Sequence, residues 1–340
     1  MSSKSRMQLM PFYSKTTISA QRSHKYSIGR YTMLQRIVYL LFIFSLISCG
    51  GGGGSSSSSD VVIDRDGDGI SNEVDTDDDN DGIEDVDDDF PLDAVQFQDE
   101  NFSRCVKSQF DAIGATTLSE ITILNCYSFG ISSVSNLSVF PSLTSLNLSE
   151  NNISEIDISQ NTELRSFGVS GSQISEIDVT QNNKLTSLYL SSSELTEIDL
   201  TQNTDLRVLW LNGNELTEVD FTQSPDLWQL NLAGNKLAEV DLSQNVALTE
   251  LFIPHNLLTY VDVSNNTGLE ELSLWNNQIT EIDISQNTEL TVLFLDKNRL
   301  TDIDVSQNSA LRMLTLQGNP LLPETIEYLE SIDWIDDLSW

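Results

Sequence analysis

Between residues 60 and 100 the chain sets 18 carboxylates against one base, Arg65. Their spacing is regular. Asp64-x-Asp66-x-Asp68-Gly69-Ile70-x-Asn72-x-x-Asp75 returns thirteen residues later as Asp77-x-Asp79-x-Asp81-Gly82-Ile83-x-Asp85-x-x-Asp88. Carboxylates at loop positions 1, 3 and 5 converge on one point when the chain turns at the following glycine. The carbonyl at position 7 (Ile70, Ile83) and the carboxylate at position 12 (Asp75, Asp88) close an oxygen shell around it. Six to eight oxygens around a hard cation is calcium chemistry. Structural Ca2+ is therefore the expected cofactor; the bland alternative is a solvated acidic linker.

A second set of residues could bind rather than coordinate. Leu143, Leu164, Leu185, Leu206, Leu227, Leu248, Leu269, Leu290 and Leu311 are spaced by twenty-one, each opening the unit L-x-x-L-x-L-x-x-N-x-L-x-x-I-D-x-S-Q-N-x-x. Alternation of apolar positions 4 and 6 is strand-like, so position 5 points off the sheet. That position reads Asn147, Gly168, Tyr189, Trp210, Asn231, Phe252, Ser273, Phe294, Thr315. Trp228 and Trp275 flank the column, and His255 lies near Phe252. Aromatics on a rigid sheet serve protein hot spots and sugar stacking alike, and strand positions also favour aromatics for packing alone. Enzyme chemistry is poorly supplied: the chain has 2 His, one of them His24 near the N-terminus, and no nucleophile, base and orienter group together. No catalytic residue is assigned.

These residues need scaffolding. One coil cannot bury its own apolar side, so neighbouring coils must stack around a shared core. The position-9 asparagines (Asn151, Asn214, Asn235, Asn256, Asn277, Asn298 and Asn319) are placed to satisfy backbone groups where each strand ends, with Ser172 and Ser193 replacing two of them. The aspartates Asp157, Asp178, Asp199, Asp220, Asp241, Asp262, Asp283 and Asp304 precede Ser/Thr-Gln-Asn turns whose N–H groups they can accept. A metal ladder is the alternative use of that column.

The N-terminus is of another kind. Residues 1–48 hold seven bases and no acid, and Ile37 to Ile47 is an apolar run too short for a relaxed membrane span. It ends Leu46-Ile47-Ser48-Cys49, followed by Gly50–Gly54 and Ser55–Ser59. This resembles a bacterial lipoprotein signal with its lipobox, which implies lipidation of Cys49 and a flexible tether. Met33 opens a normal-length leader and is the expected start. Glycine after the cysteine implies outer-membrane sorting in a Gram-negative host.

The calcium segment, with no helices flanking its loops, resembles thrombospondin type 3 repeats, and Phe90-Pro91-Leu92-Asp93 their spacer. The repeats resemble bacterial leucine-rich repeats whose second half reads I/V-D-x-S-x-N. The upstream copy Ile121-x-x-Leu124-x-Cys126, offset by twenty-two, is similar to internalin-type repeats. That resemblance implies a β-rich, right-handed leucine-rich repeat solenoid with a parallel concave sheet and a convex side of short strand or 3-10 helix.

With Cys49 lipidated, Cys105 and Cys126 remain, and an oxidising export route pairs them. Asp99–Phe110 is expected as a helix capping the first coil, and 323–340 as a helix capping the last, with Leu329 and Trp334 as its core contacts. The expected order is signal 1–48, lipidated Cys and tether 49–59, calcium stalk 60–98, N-terminal cap 99–120, solenoid 121–320 and C-terminal cap 321–340. A net charge of −35 leaves no basic footprint for nucleic acid or anionic lipid. The expected protein is an envelope-anchored recognition lipoprotein, outer-membrane and surface-exposed or periplasmic. It touches membrane only through its lipid and takes an extracellular glycan or protein ligand; a non-binding surface spacer is the alternative.

Overall fold

The structure is a computed structural model that describes residues 64–340. The leader, Cys49 and the Gly/Ser tether lie outside the described residues. Among the described residues no helix is long and apolar enough to cross a membrane.

Helix α1 (Glu100–Ile113) opens the folded body. One three-residue strand per coil follows: β1 (Ile123–Asn125), β2 (Ser145–Asn147), β3 (Ser166–Gly168), β4 (Ser187–Tyr189), β5 (Val208–Trp210) and β6 (Gln229–Asn231). The series continues through β7 (Glu250–Phe252), β8 (Glu271–Ser273), β9 (Val292–Phe294) and β10 (Met313–Thr315), then helix α2 (Pro323–Glu330) and β11 (Asp337–Ser339). The strands form one 11-stranded sheet in chain order. β1 to β10 pair in parallel with like unit positions opposite one another, as in Leu188 against Leu209. A fixed 21-residue period stacks each leucine on its counterpart, and the middle residue of each strand from β1 to β10 is fully buried.

Two asparagine ladders close the backbone accounts between coils. At the strand end, Asn214 Nδ2 donates to Leu190 O (2.8 Å) and Leu211 O (2.9 Å), while its Oδ1 accepts from Leu195 N (3.1 Å). A second ladder runs down the return limb. Asn203 Nδ2 donates to Val179 O and Asn182 O, both at 3.0 Å, and Asn161, Asn182, Asn245, Asn266, Asn287 and Asn308 repeat that pattern. A side-chain amide is the group that can feed carbonyls of two successive coils from inside the core. Where Ser193 replaces the strand-end asparagine, its buried Oγ has no partner.

The residue after each strand-end bend is left-handed: His255 (φ 55), Asn276 (φ 57) and Lys297 (φ 54) share the column with Gly213 (φ 72) and Gly234 (φ 65). This turns each N–H onto the next coil, as in His255 N to Trp275 O (3.0 Å).

Three expectations need correction. The first coil's return limb carries the expected 3-10 turn, Leu137–Val139, but in the later coils that limb is neither strand nor 3-10 helix. It is extended chain broken by turns, such as Asn203 N to Leu200 O (3.0 Å), because the Asn side chains supply the inter-coil bonds that a backbone ladder would otherwise make. The C-terminal helix ends at Glu330; the chain then turns and adds β11 beside β10. Leu329 is fully buried, and Trp334 packs against the core only partly buried. Finally, Phe90 and Val95 are core residues rather than spacer. Phe90 meets Phe97 and Phe110 edge-on at 5.6 and 5.4 Å, and Phe97 stacks on Phe140 at 6.1 Å.

Helix α1 is capped by Asp99, whose Oδ1 accepts from Asn101 N and Phe102 N. Its Oδ2 accepts from Ser132 N, Ser132 Oγ and Ser133 N of the first coil. Burial opposes ionisation of Asp99, but these donors outweigh it and hold the carboxyl below its ordinary value. Cys105, on the helix, is disulfide-bonded to Cys126 of the first coil across 21 residues.

Two outcomes follow from this packing. Ser193→Asn should supply the missing rung and raise the free energy of unfolding by about 1–2 kcal/mol, whereas Asn214→Ala should lower it by at least about 3 kcal/mol by stranding three backbone groups. Guanidinium titration measures both. Reducing the Cys105–Cys126 bridge should cost about 3 kcal/mol in the chain-entropy model, seen as a lower midpoint under reductant.

Candidate functional site

Three surfaces carry chemistry beyond packing: the two acidic loops, the sheet face and the return-limb face.

In the acidic loops, Asp64, Asp66 and Asp68 bring carboxylate oxygens within 4.8 Å of one another, and Asp77, Asp79 and Asp81 do the same. Among the described residues these are the only such groups. The local cause is the same in both. Gly69 N and Gly82 N donate to the position-1 carboxylates, Asp64 Oδ2 and Asp77 Oδ2, each at 3.1 Å. Asp68 N and Asp81 N donate to the position-3 carboxylates. Ile70 N and Ile83 N donate to the position-5 carboxylates. Gly69 (φ 98) and Gly82 (φ 93) take a backbone that side chains rarely adopt.

The two loops differ in what is left over: Asp64 accepts at both oxygens, from Gly67 N (2.8 Å) and Gly69 N (3.1 Å), whereas three oxygens of the second loop are not satisfied this way. Asp77 Oδ1, Asp78 Oδ1 and Asp79 Oδ2 are buried without a hydrogen-bond partner. Burial, then neighbouring carboxylates, pushes Asp79 and Asp88 above the ordinary aspartate value. A buried anionic oxygen lacking a donor is costly unless a cation neutralises it, so the donor set fits a hard divalent ion. Asp75 and Asp88, at position 12 of their loops, close local turns (Asp75 N to Ser71 O and Asp88 N to Glu84 O, each 3.0 Å) and are not among the carboxylates that converge at positions 1, 3 and 5. The second loop is joined to the cap through Phe90, whose N–H donates to Asp88 Oδ1 (2.9 Å). Arg65 pairs with Asp93 (3.6 Å), which accepts from Leu118 N (2.6 Å).

On the sheet face, the position-5 column is less open than its pattern implies. Asn147, Asn231, Ser273 and Thr315 are buried by their larger neighbours, while Tyr189, Trp210, Phe252 and Phe294 are half-buried. Tyr189 and Trp210 meet edge-on at 5.7 Å. Burial pushes the Tyr189 hydroxyl up. Trp228, at 39% exposure, and His255 are the exposed members of the set. His255 lies against Trp275, ring centroids 4.0 Å apart, and its Nδ1 contacts Asn276 Nδ2; burial and then Lys297 push its pKa down. The sequence reading missed Gln229. Its Oε1 accepts from Trp210 Nε1 (3.1 Å) while its Nε2 donates to Glu250 (2.6 Å), so a polar relay fixes the indole. A glutamine one coil on from a tryptophan, two positions earlier in the unit, was the available signal.

The return-limb face carries an open furrow of roughly 910 Å3. Its floor is Ile156, Ile177, Ile198 and Val219, flanked by glutamates such as Glu176 and Glu197 and by Asp178, Asp199 and Asp220. The aspartates serve the turns: Asp199 Oδ1 accepts from Thr201 N (2.9 Å) and Thr201 Oγ1 (2.6 Å). The side-chain donor and then the backbone donor hold Asp178, Asp199 and Asp241 below the ordinary value of 3.8.

Residues 267–308 match the family model Leucine Rich repeats (2 copies), and residues 142–162 match Leucine Rich Repeat. No curated protein matches the chain. Among solved structures, it is similar to the functional domain of InlJ from Listeria monocytogenes, which includes a cysteine ladder. That similarity has a TM-score of 0.57 at 30% identity, over 66% of this chain and 56% of that one. The internalin inlF from Listeria monocytogenes str. 4b F2365 gives 0.52 at 23%, covering 68% and 85%. YopM from Yersinia enterocolitica WA-314 gives 0.53 at 22%, covering 65% and 46%. The last two likenesses concern the fold alone. The chain spans little more than half the length of the InlJ chain.

A depressed folded pKa stabilises above the unfolded value and is lost as pH falls through the folded one. Replacing Asp178, Asp199 and Asp241 together by Asn should therefore destabilise the chain at pH 7. The difference should shrink as pH drops below 3.8, with denaturant midpoints across pH 7 to 2.5 as the measurement.

Proposed function

We propose that this leucine-rich repeat solenoid is the recognition part of an envelope-anchored lipoprotein, exported by its leader and tethered through Cys49. It binds an extracellular protein or glycan on the sheet face, and Ca2+ in the two acidic loops stiffens the stalk. The observation that supports recognition most directly is the aromatic column. Trp210, Phe252 and Phe294 stand two strands apart, about 9.6 Å at a strand spacing near 4.8 Å, with small polar residues between them. Half-buried rings fixed by neighbours lose little side-chain entropy on binding, which is the property of a hot-spot anchor. Tyr189 and Trp210 stand at 77°, not coplanar. That relief suits protein side chains better than the flat face of a sugar, so a protein ligand is the first choice.

Calcium is supported by the unpartnered carboxylate oxygens at Asp77 and Asp79 and by the duplicated loop geometry. The ion would neutralise the convergent carboxylates and fix the loops next to the Phe90 anchor. The reading assigns no catalytic role: His255 faces Trp275 and Asn276 rather than a nucleophile.

The full chain, in millimolar calcium, should retain ligands from arrays of extracellular proteins and envelope glycans. Exchanging Tyr189, Trp210, Phe252 and Phe294 for Ala should weaken a genuine hit by more than about a hundredfold, since each anchor is worth roughly 1–2 kcal/mol. Unchanged binding in a variant with a normal denaturation curve would move the site off this face. A chain that retains nothing would be the surface spacer.

A further inference from the structure

The return-limb furrow is not used by the proposed function. Its floor is one aliphatic residue per coil, Ile156, Ile177, Ile198 and Val219, each packed against the core but only partly buried. Val240 extends the row, and the next residue of the column, Val261, is closed off at 2% exposure.

The two walls of the furrow differ in kind. Asp178, Asp199 and Asp220 use Oδ1 to accept from their turns, so the fold itself requires an acid there. Glu155, Glu176, Glu197 and Glu218 on the other side are exposed. Among the described residues none of these four has a hydrogen bond or an ion pair. Lys184 and Lys236, in the same stretch of coils, are paired with Glu163 and Glu215 instead. In the coil where the floor closes, Tyr260 stands in the glutamate's place. Carboxylates stacked one coil apart repel one another, and a cation lying along the row relieves that repulsion.

The layout selects the class of cation. Among the described residues, three carboxylates converge on one point only in the acidic loops, so the furrow is not built for a divalent ion. Its charges run in two rows beside an apolar floor at least about 14 Å long, three coil steps at a strand spacing near 4.8 Å. A matching ligand carries several cations along its length and apolar groups between them. Nucleic acid and anionic lipid have the wrong sign, and so does a second copy of this chain at −35.

We propose that the furrow is a docking site, separate from the sheet face, for a basic, apolar-rich peptide segment of a partner protein. Its apolar side chains rest on Ile156, Ile177, Ile198 and Val219, and its lysines or arginines meet the glutamates and aspartates on either side. Burial of the floor supplies affinity, and the charged rows set the sign and register of the partner.

The test is fluorescence anisotropy of a labelled synthetic peptide of alternating lysine and leucine, titrated with the full chain at about 0.15 M salt. The chain should bind this peptide at least about tenfold more tightly than a lysine–serine peptide of equal length and charge. Glu155→Gln, Glu176→Gln, Glu197→Gln and Glu218→Gln together should weaken it about tenfold or more. Circular dichroism should be unchanged, because these side chains bond nothing. Glu327→Gln, Glu330→Gln, Asp333→Asn and Asp336→Asn together remove the same charge from exposed positions of the C-terminal cap and should shift binding by less than about twofold. An equal loss in both variants would reduce the furrow to general attraction, and an unaffected furrow variant would place the peptide elsewhere. Either result overturns the inference, as does a chain that binds no basic peptide. Equal binding of the lysine–serine peptide, or of spermine, would leave a site for polycations in general and overturns the assignment to an apolar-rich segment.

Discussion

A coil of twenty-one residues contains one three-residue strand, and its internal hydrogen bonds are confined to turns and short side-chain contacts, so it cannot bury its apolar side alone. Everything in this molecule depends on bonds between coils. Leucine stacking supplies the driving force, since the aliphatic columns are removed from water entirely. It does not specify register, because one buried leucine resembles the next. The asparagine ladders do. Asn214 reaches groups on its own coil and on the coil before, and a slip would break both kinds of bond at once. The ladder that ends each strand, the ladder in the return limb and the left-handed residue after the strand together spend the backbone's polar groups on the neighbouring coil. Coils of one repeated sequence therefore build a single body.

That dependence explains what was legible in the sequence. The period announces itself through Leu143 to Leu311, and the alternation of unit positions 4 and 6 locates each strand within one residue of its observed positions 3 to 5. The role of Asp157 and its column followed from their distance to the turn. The return limb was misjudged because its sequence, I-D-x-S-Q-N, looks able to pair as strand. It does not pair because the Asn161–Asn308 column already occupies the neighbouring carbonyls, a competition visible only once coils are stacked. The last helix was drawn too long for a related reason. Residues beyond Glu330 are apolar enough to cover the core either as helix or as strand, and the exposed edge of β10 offered a partner. The aromatic column was found, but its exposure was overestimated. Side-chain direction follows from alternation, whereas burial by large neighbours one coil away does not.

The N-terminal boundary shows the same limit. Phe90-Pro91-Leu92-Asp93 reads as a spacer by its motif, yet Phe90 and Asp93 are the residues that bind the acidic loops to the cap. A first coil exposes one open end of the core, and any apolar residue within reach is drawn to it. Phe90, Phe97, Phe102 and Phe110 fill that end together with the Cys105–Cys126 bridge. The acidic loops thus continue into the solenoid through packed aromatics, and a change in loop order has a rigid element to act upon.

The chain carries a large excess of acid, and its acids fall into two physical classes. In the solenoid, Asp157 and its counterparts have donors aimed at them: each accepts an N–H, and a neighbouring Ser or Thr hydroxyl donates as well, as at Asp178, Asp199 and Asp241. Such a carboxylate is content without a counter-ion, and the metal ladder once open for that column has no geometric support. In the loops, backbone donors reach Asp64 at both oxygens and Asp66, Asp77 and Asp79 at one, while Asp77 Oδ1, Asp78 Oδ1 and Asp79 Oδ2 of the second loop are left bare. Composition cannot separate these classes, and spacing does so only in part. Hydrogen-bond accounting separates them, because a buried anionic oxygen with no donor is costly until a cation or a proton neutralises it. The bare atoms left in the solenoid, such as Asn203 Oδ1 and Ser193 Oγ, are neutral, whereas those left in the second loop belong to carboxylates.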